Sequence, residues 1–474
     1  MRPLLLSSLA LLAVSCTEAD PRPPPTDRFL YPSGLFYRDA PGSTRGILYV
    51  ASANFDRCFD QGTLMAVDLD QVGTEGNRLP LLGSVTQLGA EPVSIEQLNV
   101  PEASRVLIQS YAGQMAFWER PGASPRLFVT ARADGDFVHY VDVPTPTSLT
   151  CVGTSNRDCL QGGGSLSLTA LSGQQNDLPR APGPFGLAVD TDTARAGELW
   201  VTHLNPADSP ARSLANYASY VVRLSGETPE VSPENFFSLG IPDLPAGTTN
   251  SVFLDTKYAF FSGRFDGRLT SSTAARRFLV RVVDREAPTR VVDPGLDLGF
   301  AANDARGLAL TKQTAADGSR RLYVAVRAPD SLLVVTAQDL ETDNPRLNVV
   351  GSVPLPNGPT EVRLIPREMG SGDLVLVACS VAGVVAVYDP DVGQVVAQVS
   401  VGVTRGTSSP QPFGMTVQRQ GTTAARVFVS NFGDGRISVI DLPDLRNPQT
   451  AQLVAYLGAR QDVGTSATCR EEQR

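Results

Sequence analysis

The sequence predicts an all-β chain, a seven-bladed β-propeller of four-stranded antiparallel blades. Three observations support this prediction. A sequence pattern typical of a β-hairpin recurs along the chain, a strand with a glycine at its start precedes most copies, and a further strand follows several of them. A single unit of this kind has two apolar faces and exposed edges, so it cannot bury its surface alone. Radial packing of several units around an axis buries these faces, and a closed ring is therefore expected.

The first strand of each hairpin is a short run of aliphatic, aromatic and β-branched residues, which is typical of a strand in a sheet. The copies are LYVAS from Leu48, LFVTA from Leu127, LWVTH from Leu199, LYVAV from Leu322, LVLVA from Leu374, VFVSN from Val427 and a looser YAFFSG from Tyr258. After a polar corner, a second apolar ribbon follows each copy, such as TLMAVDL from Thr63 or ISVIDL from Ile437. Seven hairpins predict seven blades.

The other two strands of the unit flank the hairpin. A strand that begins at or beside a glycine precedes several copies, with the glycines at Gly34, Gly186, Gly307 and Gly414. A fourth strand ends several units, as in QVVAQVSVG and TAQLVAYLG. Residues 81–106, between the first two units, fit the repeat poorly and are interpreted as an outer strand with a long excursion.

The last two units resemble the YVTN-type propeller repeat family. VFVSNFGDGRISVIDLPD with TAQLVAYLG, and DLVLVACSVAGVVAVYDPDVGQVVAQVSVG, are similar to that family's strand, turn, VSVID strand and closing strand. The resemblance covers roughly residues 31–458. The chain departs from the motif where Ser52, Val326 and Ser380 stand near the position of its Asn, which Asn431 keeps. The family includes binding proteins, surface proteins and enzymes, so the resemblance implies the fold and no single activity.

The composition is that of a turn-rich globular chain with enough apolar material for a large core. Of the 474 residues, 42% are hydrophobic and 19% charged, with 42 Gly and 36 Pro. The net charge of −9 leaves no basic field that could gather phosphates. Nucleic acid is therefore excluded as an expected partner.

The N-terminus predicts export and a lipid anchor. Residues 1–15 are interpreted as a signal peptide, because one Arg precedes an apolar run that is too short to span a bilayer. The last residues before Cys16 resemble a bacterial lipobox, which implies a lipidated Cys16; a plain signal peptide is the alternative. Thr17 in place of Asp favours the outer membrane. Residues 16–28 would form a Pro-rich tether, 29–460 the propeller and 461–474 a C-terminal tail.

The remaining five cysteines are expected to pair in an oxidising compartment, with one left over. Cys151 and Cys159 enclose a short polar loop and predict a local disulfide. Cys379 lies in an apolar strand and is expected to be buried. Cys58 and Cys469 would then form a clasp across the ring closure; the alternatives are that both are unpaired or that Cys379 takes part.

The propeller topology predicts a binding face where the loops between second and third strands meet. Six polar residues begin these loops and would lie near the mouth of the axial channel: Asn54, Arg132, His203, Arg264, Arg327 and Asn431. Three arginines around one opening would suit an anion or a carboxylate. The alternative is structural, because an Asp follows closely in most of these loops and such an Asp often caps its own turn or pairs with the nearby Arg. These residues are Asp56, Asp134, Asp266, Asp330 and Asp434.

No catalytic motif accompanies this architecture. The two histidines, His139 and His203, do not stand at metal-ligand spacing, and neither a metal nor a cofactor is expected. Two interpretations of His203 are open: it is a general base, or it is a histidine that is hydrogen-bonded within its loop. The first hypothesis is a non-catalytic, monomeric, lipid-anchored propeller of the bacterial envelope that binds a protein, a glycan or a small molecule.

Two alternatives to this hypothesis remain. The first is a lactonase or gluconolactonase-like hydrolase acting at the channel mouth. It would use residues drawn from Asp56, Arg264, Asp266 and Arg306. The second is a purely structural envelope protein.

Overall fold

The computed structural model describes residues 22–154, 156–169, 183–192, 194–204, 220–239, 248–264, 279–288, 291–293, 303–315, 317–368, 371–404 and 409–461. Across these ranges the chain forms seven sheets and no α-helix. Each blade has four antiparallel strands in chain order from its inner to its outer edge, and two of the sheets carry a fifth strand. The predicted seven-bladed propeller is confirmed. Within the same ranges, no helix has the length and apolar character needed to cross a membrane.

The first three blades follow the repeat with additions in blades 1 and 2. Blade 1 consists of β1 (Pro32–Arg38), β2 (Ile47–Ser52), β3 (Gly62–Asp68) and β5 (Arg105–Ile108), and the chain forms β4 (Val93–Ile95) between the last two. Blade 2 consists of β6 (Ala112–Trp118), β7 (Arg126–Ala131), β8 (Phe137–Thr145) and β10 (Ser165–Ser167), with β9 (Ser148–Cys151) also paired to β8. Blade 3 consists of β11 (Pro184–Val189), β12 (Glu198–His203), β13 (Tyr220–Ser225) and β14 (Phe236–Ser238).

The other four blades complete the ring. Blade 4 consists of β15 (Thr248–Leu254), β16 (Tyr258–Arg264), β17 (Val280–Asp284) and β18 (Val291–Asp293), and blade 5 of β19 (Asn303–Leu310), β20 (Arg320–Arg327), β21 (Ser331–Gln338) and β22 (Arg346–Pro354). Blade 6 consists of β23 (Pro359–Ile365), β24 (Leu374–Cys379), β25 (Val384–Asp389) and β26 (Gln394–Ser400), and blade 7 of β27 (Pro412–Gln420), β28 (Ala424–Asn431), β29 (Arg436–Leu442) and β30 (Gln452–Leu457). Short 3₁₀ turns occur at Glu102–Ser104, Cys159–Gln161, Pro233–Asn235 and Pro448–Thr450.

The hydrophobic core lies between neighbouring blades. Side chains of blades 1 and 2 share one buried cluster, and blades 6 and 7 share another. Blades 7 and 1 are joined in the same way, since Val50 and Met65 pack in one cluster with Phe428 and Val439. Because each blade buries its faces against its neighbours, the ring is the smallest unit in which every blade is covered.

The repeated glycines allow the innermost strands to approach each other at the hub. A Cβ added to Gly186, Gly307 or Gly414 would lie under 3.0 Å from backbone of the next blade, closer than real Cβ atoms come. For Gly414 this backbone atom is the carbonyl oxygen of Ser33, so the contact joins blade 7 to blade 1. The repeat glycine is therefore a close-approach residue of the hub.

The excursion that fits the repeat poorly closes the ring on its outer side. β4 pairs in parallel with β30, the outer strand of blade 7, and β5 then returns to become the outer strand of blade 1. The backbone N–H of Gly458 donates to the carbonyl of Ile95 at 2.8 Å, and the Gln452 amide donates to the carbonyl of Val85 at 2.9 Å. Residues before β5 thus cover an edge of the last blade that would otherwise be unpaired.

Arginine–aspartate pairs with a buried arginine link the second and third strands of two blades at equivalent positions. Arg126 faces Asp142 across blade 2, and Arg426 faces Asp441 across blade 7. Both aspartates come from the repeated ends of the third strand, VDV and IDL. Arg426 and Asp441 are each 1% exposed, and the guanidinium also donates to the carbonyl of Pro80 at 2.8 Å. The repeat aspartate is therefore a packing element, which sequence reasoning did not identify.

Among the described cysteines, three are disulfide-bonded and one is free. Cys151 and Cys159 form a disulfide with a Cα–Cα distance of 5.1 Å. Cys379 is free and buried, and burial raises the pKa of its thiol to about 12. Cys58 is disulfide-bonded. Cys469 lies outside the described residues, so its pairing with Cys58 stays a prediction.

Candidate functional site

A cavity of about 260 Å³ lies at the hub, on the face predicted to bind. Second-to-third loops and the segments that enter first strands supply its walls, from six of the seven blades among the described residues. Its lining residues are Ala53, Phe55, Tyr111, Ala112, Arg132, Phe185, Arg327, Thr360, Ser380, Gln411, Phe413 and Phe432. The cavity is therefore the mouth of the axial channel.

Aromatic rings form most of the apolar wall of this axial cavity. Phe55 lies with its ring centroid 5.0 Å from Tyr111 and 5.4 Å from Phe432. Phe413 lies 5.7 Å from both Phe432 and Phe185. Because Phe185 belongs to blade 3 and Phe413 to blade 7, this last contact runs across the axis. Edge and tilted ring contacts at these distances are favourable.

Arg132 brings a positive charge to the axial cavity. Its guanidinium carbon lies 5.6 Å from the ring centroid of Phe185, and its Nη1 is buried without a hydrogen-bond partner among the described residues. Burial lowers the pKa of Arg132, and the charge of Asp136 opposes that change. Burial in turn raises the pKa of Asp136 to about 6, against the opposing effects of the Gly183 N–H and Arg132. A buried guanidinium N–H without an acceptor favours binding of an anion.

Arg327 lies on the opposite wall of the axial cavity and is held in place by the protein. Its Nε donates to the carbonyl of Pro359 at 2.9 Å, and its Nη2 donates to Ser380 Oγ at 3.2 Å. Ser380 in turn donates to the carbonyl of Gly358 at 3.0 Å. This network orients the second arginine of the site.

The two predicted asparagines lie beside the axial cavity and are engaged in the loops. Asn54 is fully buried, and its Nδ2 donates to the carbonyl of Phe59 and to Ser110 Oγ. Asn431 is also fully buried, and its Nδ2 donates to the carbonyl of Val401 and to Ser438 Oγ. Neither side chain lines the cavity, and each Nδ2 ties the loop of its asparagine to a neighbouring segment of the chain.

The remaining two predicted residues do not appear in the cavity wall. His203 is buried at the end of β12, where its backbone N–H donates to Thr249 Oγ1 at 2.9 Å. Arg264 ends β16, and its side chain lies outside what the structure describes. The structure therefore brings together Arg132 and Arg327 of the six predicted residues.

His139 has a structural role. Its Nε2 accepts a hydrogen bond from the backbone N–H of Gln109 at 3.0 Å, and its Nδ1 lies 2.6 Å from Ser165 Oγ. Ser165 donates to the carbonyl of Cys159. Burial lowers the pKa of His139 to about 3, so the ring is neutral at physiological pH with its proton on Nδ1.

Of the loop aspartates, Asp56 and Asp434 have the local roles of the structural alternative, whereas Asp134 and Asp330 contact other loops. Asp56 accepts from the backbone N–H of Cys58, and Asp330 accepts from that of Gly358. Asp134 pairs with Arg57, and the buried Asp434 pairs with Arg436 at 2.8 Å. Asp266 lies outside the described residues. Of the residues considered for a hydrolase, Arg306 pairs with Asp304 at 2.8 Å.

The described residues contain no group of three or more His, Cys, Asp or Glu side chains that could hold a metal ion. The described lining of the axial cavity also contains no Asp or Glu. Its polar groups are the two arginines, two hydroxyl side chains, an amide and the phenol of Tyr111. This set can donate hydrogen bonds and bind negative charge.

Sequence reasoning missed the aromatic walls, although the chain carries a signal for them. The triplet Pro-Phe-Gly occurs at 184–186 and again at 412–414, just before the close-approach glycine of the hub. The pair Asn-Phe occurs at 54–55 and again at 431–432, where second strands end. Comparing the residues beside the repeated Gly and Asn would have placed these phenylalanines at the channel.

Comparison with known proteins finds likeness in structure alone. No family model matches this chain, and no curated protein sequence matches it. The structural neighbours include hydrazine synthase of Kuenenia stuttgartiensis, with 14% identity and a TM-score of 0.44 over 76% of this chain and 83% of that chain. A periplasmic gluconolactonase of Pseudomonas aeruginosa has 16% identity and a TM-score of 0.44 over 91% of this chain and 98% of that chain.

A nidogen/laminin complex is a further neighbour, with 14% identity and a TM-score of 0.35 over 70% of this chain and 97% of that chain. At these sequence identities and TM-scores, the structural neighbours give no information about the activity of this chain.

Proposed function

We propose that this chain is a non-catalytic, lipid-anchored propeller of the bacterial envelope that binds a small molecule in its axial cavity. The observation that carries the proposal is the wall of aromatic rings with two arginines and, among the described lining, no carboxylate. Cavities with apolar walls and a few placed polar groups are typical of ligand sites. At about 260 Å³, this one suits a small ligand.

The hydrolase alternative has less support in the described residues. Asp56 is exposed and accepts hydrogen bonds from Cys58 and Tyr31, and Arg306 is paired with Asp304. Neither Asp56 nor Arg306 lines the axial cavity. A general acid or base must reach the reacting atoms, so neither residue is placed for that role.

The tether supports an orientation for the anchored protein. The backbone N–H of Arg22 donates to Asp60 at 2.6 Å, and the Asp60 N–H donates back to the Arg22 carbonyl at 3.0 Å. Asp60 belongs to the loop between β2 and β3, on the face of the axial cavity. Five residues separate Cys16 from Arg22, so the two residues can be at most about 22 Å apart, and a lipid on Cys16 would be held near this loop. We therefore propose that the cavity faces the membrane that holds the anchor.

Replacing Cys16 with serine is expected to release the protein from the membrane. The serine hydroxyl cannot form the thioether that carries the lipid, and the body would lose its anchor. Fractionation of the envelope should then move the chain from the membrane pellet to the soluble fraction. Thr17→Ser, a change beside the anchor, serves as the control and should stay membrane-bound. A Cys16→Ser protein that remains in the pellet would contradict the anchor.

Replacing Phe55 with alanine is expected to weaken ligand binding about tenfold by removing one aromatic wall, worth about 1.4 kcal/mol. Phe55 is 46% exposed, so the fold should tolerate the change. Ligand-observed NMR titrations with benzoate and benzyl alcohol as probes measure the effect. Val381→Ala is the control, because Val381 is 70% exposed and does not line the cavity.

Two results would count against the proposed function. If neither probe binds saturably to the wild-type protein, the purely structural role is favoured. If the wild-type protein hydrolyses a lactone panel and Asp56→Ala or Arg264→Ala abolishes that activity, the hydrolase replaces the binding module.

A further inference from the structure

We propose that the axial cavity selects a small carboxylate carried on a flat apolar body, with the carboxylate at Arg132 and the body against the aromatic rings. This inference rests on the proposed function and specifies its ligand. Three properties of the cavity support it: the charge of its wall, the unequal engagement of its two arginines, and the arrangement of its rings.

The charge of the wall favours an anion over a cation. Arg132 and Arg327 bring positive charge from blades 2 and 5, and no Asp or Glu stands among the described lining residues. The acid whose charge acts on Arg132 is Asp136, which does not line the cavity and is 4% exposed. An ammonium group would be repelled by two like charges and would meet no carboxylate among the described lining residues, whereas an anion would be attracted by both guanidinium groups.

The two arginines differ in what the protein leaves for a ligand. Arg327 already donates from Nε and Nη2 to protein oxygens. The guanidinium carbon of Arg132 lies over the ring of Phe185, 5.6 Å from its centroid, and its Nη1 has no acceptor among the described residues. A planar carboxylate matches the fork of a guanidinium group and can accept two parallel hydrogen bonds. Arg132 is therefore the residue that we expect to hold the carboxylate.

The rings favour a flat apolar body beside that carboxylate. Phe55, Phe432 and Phe413 form a continuous contact, and Phe185 carries both the contact to Phe413 and the Arg132 guanidinium. A ligand bound at Arg132 would thus extend directly over aromatic surface. The cavity volume of about 260 Å³ favours a single-ring carboxylate over a bulky ligand.

The test compares three probes of one shape: benzoate, benzyl alcohol and benzylamine, titrated into the full-length protein at fixed ionic strength. Benzoate is expected to bind at least about tenfold more tightly than benzyl alcohol, and benzylamine more weakly than either. Arg132→Gln should lower benzoate affinity about tenfold and change benzyl alcohol affinity less than about twofold. Arg132→Lys keeps the charge without the planar fork and should retain part of the preference.

Arg57→Gln is the matched control. Arg57 is an exposed arginine of the same face, paired with Asp134 and absent from the cavity lining. The Arg57→Gln variant should leave the affinities for benzoate and benzyl alcohol unchanged. The thermal midpoint of the Arg132→Gln variant should equal that of the wild type, which would show that the loss of affinity is a local effect.

The possible failures are distinguishable. If benzyl alcohol or benzylamine binds as tightly as benzoate, the carboxylate preference is wrong and the binding function stands. If Arg132→Gln lowers benzoate and benzyl alcohol affinity equally, Arg132 only shapes the cavity and the inference is also wrong. If none of the three probes binds, this inference and the proposed function fail together.

Discussion

Replacing Arg426 with methionine is expected to lower the free energy of unfolding by about 3–5 kcal/mol. Asp441 would be left as a buried charge without its cation, and the carbonyl of Pro80 would lose its donor. Asp441 also accepts from the backbone N–H of Gly83, so the excursion is attached to blade 7 through both members of the pair. Denaturant unfolding measures the loss. Limited proteolysis should also show faster cleavage within residues 69–104.

Arg446→Met provides the matched control for this change. Arg446 pairs with Glu368, but its side chain is 74% exposed, and pairs of that kind contribute at most about 1 kcal/mol. The double variant Arg426→Met with Asp441→Leu removes both charges and should restore most of the lost stability. If Arg426→Met lowers the free energy of unfolding no more than Arg446→Met does, the buried pair does not attach the excursion to blade 7.

Replacing Gly414 with alanine is expected to lower the free energy of unfolding by at least about 1–3 kcal/mol. The reason is that the first strands of blades 7 and 1 already touch at this point of the hub. The new methyl group would overlap the carbonyl oxygen of Ser33, where blade 7 meets blade 1. Gly414 does not have a positive φ, so the cost arises from space and not from backbone conformation. Thermal and denaturant unfolding of the purified variant measure it.

Gly351→Ala is the control, since Gly351 also lies in a strand without a positive φ. A Cβ there would meet Val334 Cβ at 3.7 Å, an ordinary van der Waals distance. This variant should be as stable as the wild type or slightly more stable, because alanine loses less conformational freedom than glycine in a strand. Equal stability of Gly414→Ala and Gly351→Ala would show that the hub can yield at the blade 7 to blade 1 contact.

The sequence carried most of the information about the blades. The alternation in VFVSN or LYVAV is a local pattern that places successive side chains on opposite faces, and the Gly-Asp-Gly corner at 433–435 marks the hairpin. Both properties depend on neighbours in the chain, and each predicted hairpin appears in the structure. The strand pairing of residues 81–106 could not be predicted in the same way, because β4 pairs with a strand more than 350 residues away.

The candidate site was predictable in place and only partly in composition. Topology located the channel mouth and two of its arginines, Arg132 and Arg327. The phenylalanines of the wall come from different blades, and no local pattern states that Phe185 and Phe413 meet across the axis. The fully buried Asn54 and Asn431 show the converse, since the side-chain N–H groups of a polar residue beside a site can donate to the protein's own loops and strands.

By itself, the sequence determined the strand units, their number and the face on which their loops gather, because alternation and turn chemistry act between residues close in the chain. Only the tertiary structure decided which side chains enclose the axial cavity, which arginine keeps an unfilled donor, and how the first and last blades are joined. These properties arise when distant segments come together, and their energies depend on burial that exists only in the closed ring.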